Sequence, residues 1–88
     1  MLTISDTALD LISRLSARAS DRHLGLRIAA AGTVPGLQMS LAEAPGPHDL
    51  VLHDPRARVF LDPVAAARLA RERLDARSDE RGSAFFLD

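Results

Sequence analysis

Helical periodicity in this 88-residue chain is concentrated in one segment near its start. Ser5 offers a hydroxyl as N-cap, and Asp6 is placed favourably for the helix dipole. Apolar residues then recur at helical spacing and predict an amphipathic helix of about four turns ending near residues 20–21: Ala8, Leu11, Ile12, Leu15 and Ala19. Most of the remaining chain is predicted to form strands. Because strands and helices do not alternate, we predict a small, mostly antiparallel α+β domain.

The strands are predicted from apolar residues that alternate with other residues, which is the period of a β-strand. Asp62 followed by Pro63 predicts the start of a short second helix over 64–70. A hairpin is expected at the end of the chain, with Gly82 free to adopt a positive φ in its turn. The predicted strands are residues 2–4, 24–30, 37–42, 49–53, 58–61, 74–77 and 83–87.

The composition indicates a single small domain over residues 1–88 with a narrow stability margin. No cysteine is present, so these residues form neither a disulfide nor a thiolate metal site. The only aromatic residues are Phe60, Phe85 and Phe86. The core must therefore consist mainly of Leu, Val, Ile and Ala, and oligomerisation is a plausible source of further buried surface.

Charge and hydropathy argue against two classes of partner. The net charge is −1 and all eleven basic residues are Arg, so no concentrated basic face suits a nucleic acid. The Arg-rich stretch 68–81 is diluted by acidic residues and predicts a solvated face. No run approaches the roughly 18 apolar residues of a membrane span, and nothing resembles a signal peptide. We expect a cytoplasmic protein that binds neither nucleic acid nor membrane.

Two further patterns invite a chemical function. The loop Gly32-Thr33-Val34-Pro35-Gly36 could cradle an anion, but no P-loop signature is present and a simple strand connection is favoured. His23, His48, His53 and nearby Asp could hold a metal. However, on a strand over 49–53, His48 and His53 would point to opposite faces. No nucleophile with a base and an orienting group can be identified, so we predict that the chain is not an enzyme.

The order of these segments resembles the HesB/IscA family of A-type iron–sulfur carriers. Residues 2–8 are similar to the family's opening strand and capped helix, and 24–28 to its Gly-Leu-Arg strand. Residues 32–36 stand where the family carries its Gly-Cys-Ser-Gly loop, with one extra residue. Residues 49–62 and the hairpin that contains Phe85 and Phe86 resemble the family's later segments. The resemblance implies a HesB-like fold over nearly the whole chain.

The resemblance also implies a departure from the family's chemistry. Family members carry one cysteine in the loop and a Cys-x-Cys pair near the C-terminus. Here Thr33 or Val34 occupies the loop position, and the sequence stops at Asp88 before the pair would appear. Iron–sulfur clusters need thiolates, so we expect no cofactor and no metal site of the family's kind.

We therefore predict a cysteine-less, C-terminally short HesB/IscA-like protein that acts in iron–sulfur assembly through protein–protein interaction. The resemblance implies iron–sulfur assembly proteins as partners, and a homodimer, because family members commonly self-associate. Phe85 and Phe86 are the interface candidates, since adjacent strand residues face opposite sides. The alternative is a small module that binds metal through His and Asp.

Overall fold

The computed structural model describes residues 1–19, 24–30 and 36–88. Two helices and seven strands occur in these residues. In chain order they are β1 (Thr3–Ile4), α1 (Asp6–Ala19), β2 (Gly25–Ala30), β3 (Leu37–Ala42), β4 (Leu50–His53), β5 (Arg58–Leu61), α2 (Pro63–Arg68), β6 (Arg73–Asp79) and β7 (Gly82–Leu87). The predicted α+β class and the predicted elements are confirmed.

The strands form two mixed sheets. One sheet has the order β1-β6-β7, and the other has the order β3-β2-β5-β4. Three strand pairs are antiparallel, but β1 runs parallel to β6 and β2 runs parallel to β5. Most strand pairs are therefore antiparallel, as predicted, and the two parallel pairs join strands that are distant in sequence. Local periodicity carries no signal for the pairing of strands that are distant in sequence.

Both sheets and both helices contribute to one hydrophobic core. The inner face of α1 buries Ala8, Leu9, Leu11 and Ile12, and the core continues through Leu26, Ile28, Val59, Leu61, Ala65, Leu69 and Leu74. Ser16 Oγ accepts a hydrogen bond of 2.8 Å from Leu24 N, which ties the last turns of α1 to the start of β2. Burying each large aliphatic side chain contributes about 1.5–3 kcal/mol to the free energy of folding. Because side chains of both sheets share this core, their burial holds the two sheets together.

The element boundaries differ slightly from the prediction. Helix α2 begins at Pro63 and ends at Arg68, since the caps Asp62 and Leu69 close it at both ends. The final hairpin turns at residues 80–81 only, because β6 continues to Asp79 and pairs there with Gly82. Gly82 has φ +128°, the positive φ predicted for this turn. The predicted end of α1 at residues 20–21 lies outside the described residues.

Candidate functional site

The predicted loop at residues 32–36 follows a strand end that is held by one carboxylate. Asp62 accepts hydrogen bonds from Ala30 N at 2.9 Å and from Ala65 N at 2.7 Å. Its own backbone N–H donates to the carbonyl oxygen of Ile28. Asp62 therefore fixes the last residue of β2 and the first turn of α2 together. Residues 32–35 of the predicted loop lie outside the described residues, and β3 begins directly after Gly36.

An apolar groove opens beside this end of β3. Its volume is about 270 Å³. Its lining combines side chains of both sheets and of the segment after α2: Ile28, Leu37, Met39, Leu69, Leu74, Phe85, Phe86 and Leu87. Ile28, Leu69 and Leu74 are buried, whereas Met39 and Leu87 are each 49% exposed. The groove is therefore an opening of the core between the outer strands β3 and β7, and we call it the β3–β7 groove.

The structure places both interface candidates at the β3–β7 groove. Phe85 is half-buried and packs against the core, whereas Phe86 is 42% exposed. In the register of β6 and β7, Phe85 lies opposite buried Ala76 and Phe86 lies opposite Asp75. Leu37, which follows Gly36 directly, lines the same groove. The fold thus brings the end of the predicted loop and the predicted aromatic pair to one surface.

Arg27 on β2 and Asp49 before β4 form a well-buried ion pair beside the four-stranded sheet. Arg27 Nε donates to Asp49 Oδ2 at 2.8 Å and its Nη2 donates to Oδ1 at 3.1 Å. The Asp49 side chain is only 2% exposed. The hydrogen bond from Arg27 lowers the pKa of Asp49, aided by a backbone N–H bond from Gly46. This carboxylate therefore holds the loop before β4 against β2.

Other carboxylates also make structural contacts. Asp75 accepts from Ser5 Oγ at 2.6 Å and from Ala76 N at 2.8 Å, and the bond from Ser5 is the main cause of its lowered pKa. Asp54 is bonded to Arg56, which lowers the pKa of Asp54. These hydrogen bonds explain the positions of both acidic side chains without any ligand.

The predicted histidines do not form a cluster in the structure. His48 and His53 are exposed; β4 begins at Leu50, so His48 precedes the strand and His53 ends it. His23 lies outside the described residues. Within residues 1–19, 24–30 and 36–88, no three His, Asp or Glu side chains come together as a metal-ligand group. In the same ranges, no helix is long and apolar enough to cross a bilayer.

Known structures of similar fold include the following three. A crystal structure of IscA with a 2Fe–2S cluster aligns with a TM-score of 0.80 and 25% sequence identity, covering 100% of this chain and 84% of that one. The chain has an IscA-like fold. The crystal structure of Escherichia coli SufA, involved in the biosynthesis of iron–sulfur clusters, aligns with a TM-score of 0.81 and 20% identity, covering 99% of this chain and 83% of SufA.

The third match is the solution structure of a protein from Aquifex aeolicus, with a TM-score of 0.77 and 21% identity over 99% of this chain and 89% of that one. No protein-family model and no curated protein matches the sequence. The resemblance to HesB/IscA proteins is therefore confirmed at the level of the fold. The matched IscA carries a 2Fe–2S cluster, and the matched SufA is involved in the biosynthesis of iron–sulfur clusters.

The donor set of this chain does not fit a thiolate-bound cluster. The 88 residues contain no cysteine, and the loop position that the family resemblance assigns to a cysteine holds Thr33 or Val34. Iron–sulfur clusters are held by soft thiolate ligands, which a hydroxyl or an isopropyl group cannot replace. The β3–β7 groove is lined by aliphatic, thioether and aromatic side chains. This surface is suited to apolar contact.

Sequence reasoning missed Met39, Leu87 and the second role of Asp62. The alternation of Leu37, Met39 and Leu41 predicted an apolar strand face, but it did not show that Met39 stays half-exposed. Asp62 was predicted only as a helix cap. Its bond to Ala30 N depends on β2 pairing with β5, which no local pattern indicates.

Proposed function

We propose that this chain is a cytoplasmic, non-enzymatic protein of iron–sulfur cluster assembly that works through protein–protein contact rather than by carrying a cluster on thiolates. The observation behind the proposal is an apolar groove, with Phe85 and Phe86 on its border, in an IscA-like fold without cysteine. Exposed apolar surfaces rimmed by polar residues are typical of interaction sites. The partners are iron–sulfur assembly proteins or a second copy of the chain.

Anaerobic reconstitution with iron and sulfide tests the cluster part of the proposal. After desalting, we expect a colourless protein with less than about a tenth of an iron atom per chain, because the chain supplies no thiolate ligand. Visible absorption and metal analysis provide the readout, with a cysteine-containing IscA reconstituted in parallel as positive control. Iron retained at a stoichiometric level would contradict the proposal. Substituting His23, His48 and His53 would then test the alternative of a His/Asp metal module.

A second experiment tests the protein-contact part. The full chain and its Phe86→Ser variant are each immobilised, and purified iron–sulfur assembly proteins are passed over them. We expect at least one to bind the unaltered chain and to bind the variant at least about fivefold more weakly, since aromatic side chains dominate interface energies. Ala84→Ser, on the same strand and face as Phe86, serves as the control. No binding by any assembly protein, together with a chain that sediments as a monomer, would contradict this part.

A further inference from the structure

The outer face of the four-stranded sheet carries an aromatic side chain that is fully buried. Val59 and Leu61 of β5 belong to the hydrophobic core, so Phe60 between them points to the opposite face of the sheet. The register agrees, because Phe60 lies opposite Arg27 and Val51, which both reach solvent. Phe60 is nevertheless 0% exposed. Its burial therefore requires a cover on the side of the sheet away from the core.

The connection between β3 and β4 crosses this outer face. The two strands are the opposite edges of the sheet order β3-β2-β5-β4, so residues 43–49 must pass over β2 and β5. We call these residues the strap. The carbonyl oxygen of Glu43 accepts a hydrogen bond of 3.4 Å from Arg58, whose guanidinium carbon lies 5.2 Å from the centre of the Phe60 ring. The strap thus crosses on the face that holds Phe60.

The Arg27–Asp49 ion pair fastens the strap at its far end. Asp49 precedes β4 and Arg27 lies on β2, and β5 lies between these two strands. The pair therefore spans β5 on the face of Phe60. Gly46 N donates to Asp49 Oδ2 at 2.8 Å, and a Cβ atom added to Gly46 would lie 3.0 Å from Arg27 Nη2. The middle of the strap thus rests against the same ion pair.

The strap contributes no side chain to the hydrophobic core. All of residues 43–49 are described, and none of them belongs to the buried apolar cluster. Except for Gly46 and Asp49, each of these residues is exposed. Segments with few buried apolar contacts open at a lower free energy than the whole fold. The polar contacts to the sheet are therefore what we expect to keep the strap closed.

The length of the strap allows it to lift while its flanking strands stay paired. In the register, Ala42 at the end of β3 and Leu50 at the start of β4 are about 17 Å apart, given the usual strand spacing and rise. The chain that joins them can reach about 26–29 Å when extended. The difference leaves room for the strap to move away from the sheet without unpairing either strand.

We propose that the strap is a lid over Phe60, which the Arg27–Asp49 ion pair holds closed and which opens as one unit, with both sheets folded, when that pair is broken. Removing either partner leaves the other charge without its counterion, and opening returns that charge to water. The open strap presents the Phe60 ring on a face that is otherwise polar. The proposal concerns this face alone and does not depend on the proposed function.

The test measures by NMR how far solvent reaches the side chains of β5. The ring protons of Phe60 lie on the strap side, whereas the methyl groups of Val59 and Leu61 lie on the core side. A soluble gadolinium chelate relaxes the protons that solvent reaches, so its effect on each group measures exposure. The full chain is compared with its Asp49→Ala and Arg27→Gln variants, each of which breaks the ion pair.

We expect the Phe60 ring of the unaltered chain to be as protected as the core methyl groups. In Asp49→Ala and in Arg27→Gln, its relaxation by the chelate should rise at least about fivefold, because hydrogen bonds between charged groups no longer close the strap. The relaxation of the Val59 and Leu61 methyl groups should stay unchanged in both variants.

Asp54→Ala serves as the matched control. It also removes a carboxylate that accepts a hydrogen bond from an arginine, since Asp54 Oδ1 lies 3.1 Å from Arg56 Nε, but this pair lies outside the strap. The Phe60 ring should remain protected in this variant. A rise like that in Asp49→Ala would show that loss of any ion pair exposes the ring, which would contradict a specific role for Arg27 and Asp49.

Two further outcomes would overturn the proposal. A Phe60 ring that stays protected in either pair-breaking variant would show that the ion pair does not hold the strap closed. Equal rises at Phe60, Val59 and Leu61 would show that the domain opens as a whole. If Asp49→Ala does not fold, Asp49→Asn takes its place under the same criteria, since it retains an acceptor oxygen for Gly46 N.

Discussion

Three consecutive residues of β2, Gly25, Leu26 and Arg27, each have a different structural role. A Cβ atom added to Gly25 would lie 2.6 Å from the ring of Phe60, so only glycine permits this approach. Leu26 is 3% exposed and belongs to the core. Arg27 holds Asp49 with two hydrogen bonds. The Gly-Leu-Arg sequence that resembles the IscA family thus has a separate physical reason at each position.

Gly25→Ala is expected to destabilise the fold by about 1–3 kcal/mol, because the added methyl group overpacks a site against the fully buried Phe60. Urea unfolding followed by circular dichroism gives the measurement. Combining Gly25→Ala with Phe60→Leu should cost less than the sum of the two single changes, since the smaller side chain makes room. Strict additivity would show that the two positions do not interact.

Leu26→Asp is expected to prevent folding, since it places an unpaired charge in the core. Leu26→Ala should leave a folded protein that is destabilised by about 2–5 kcal/mol. Val51→Asp, at an exposed position of β4, should unfold near the unaltered temperature. Thermal melts of all three variants provide the comparison. A Leu26→Asp variant as stable as the unaltered chain would refute the core position of β2.

At the scale of elements, single polar groups connect helices to strands. Asp62 caps α2 and also bonds to the last residue of β2. Ser5 accepts from Ala8 N in the first turn of α1 and donates to Asp75 on β6. Each link joins elements that are distant in sequence, so the caps set tertiary geometry as well as helix ends. The position of Ala30, just before the predicted loop, depends on one of them.

Asp62→Ala is expected to cost about 1–2 kcal/mol, because it removes a helix cap and leaves Ala30 N without its acceptor. Asp62→Asn retains an acceptor oxygen and should lose less. Asp10→Ala, whose carboxylate meets Arg56 only at 4.0 Å on the surface, should change stability by less than about 0.5 kcal/mol. Chemical denaturation gives the values. Amide exchange at Ala30 should rise in Asp62→Ala and stay unchanged in the control.

At the scale of the whole molecule, carboxylates with lowered pKa values make stability depend on pH. Asp49 and Asp62 owe the lowered pKa to hydrogen bonds from Arg27 and from backbone N–H groups, respectively. In the unfolded chain an Asp side chain titrates near about 3.9. The unfolded state therefore binds protons first as the pH falls. The stabilisation is complete above about pH 4–5 and is lost as the pH falls through the folded-state pKa values.

We expect the urea midpoint to change little between pH 7 and about 5 and to fall steeply below about pH 4, because protonation removes the acceptor role of these carboxylates. Measurements at half-unit intervals give the profile. The double variant Asp49→Asn, Asp62→Asn should be less stable at pH 7 and should show a shallower acid dependence. An identical slope for both proteins would show that other groups control acid unfolding.

The local sequence was sufficient to predict most of the elements and the hairpins. Helical spacing after Ser5, period-two alternation in the strands and the Asp62-Pro63 helix start all act within a few residues, so they can be read without the fold. The glycine of the last turn was predicted for the same reason. The absence of cysteine likewise depends on the sequence alone.

Only the tertiary structure decided which strands pair and that a groove lies between the outer strands β3 and β7. The pairing of β2 with β5 and of β1 with β6 joins residues far apart in the chain, so burial and hydrogen bonding across the whole domain select it. The same pairings leave β3 and β7 as outer strands and place Met39 beside Phe86 and Leu87. The sequence determined the apolar side chains themselves, whereas the packing of the two sheets determined that these side chains form an open groove.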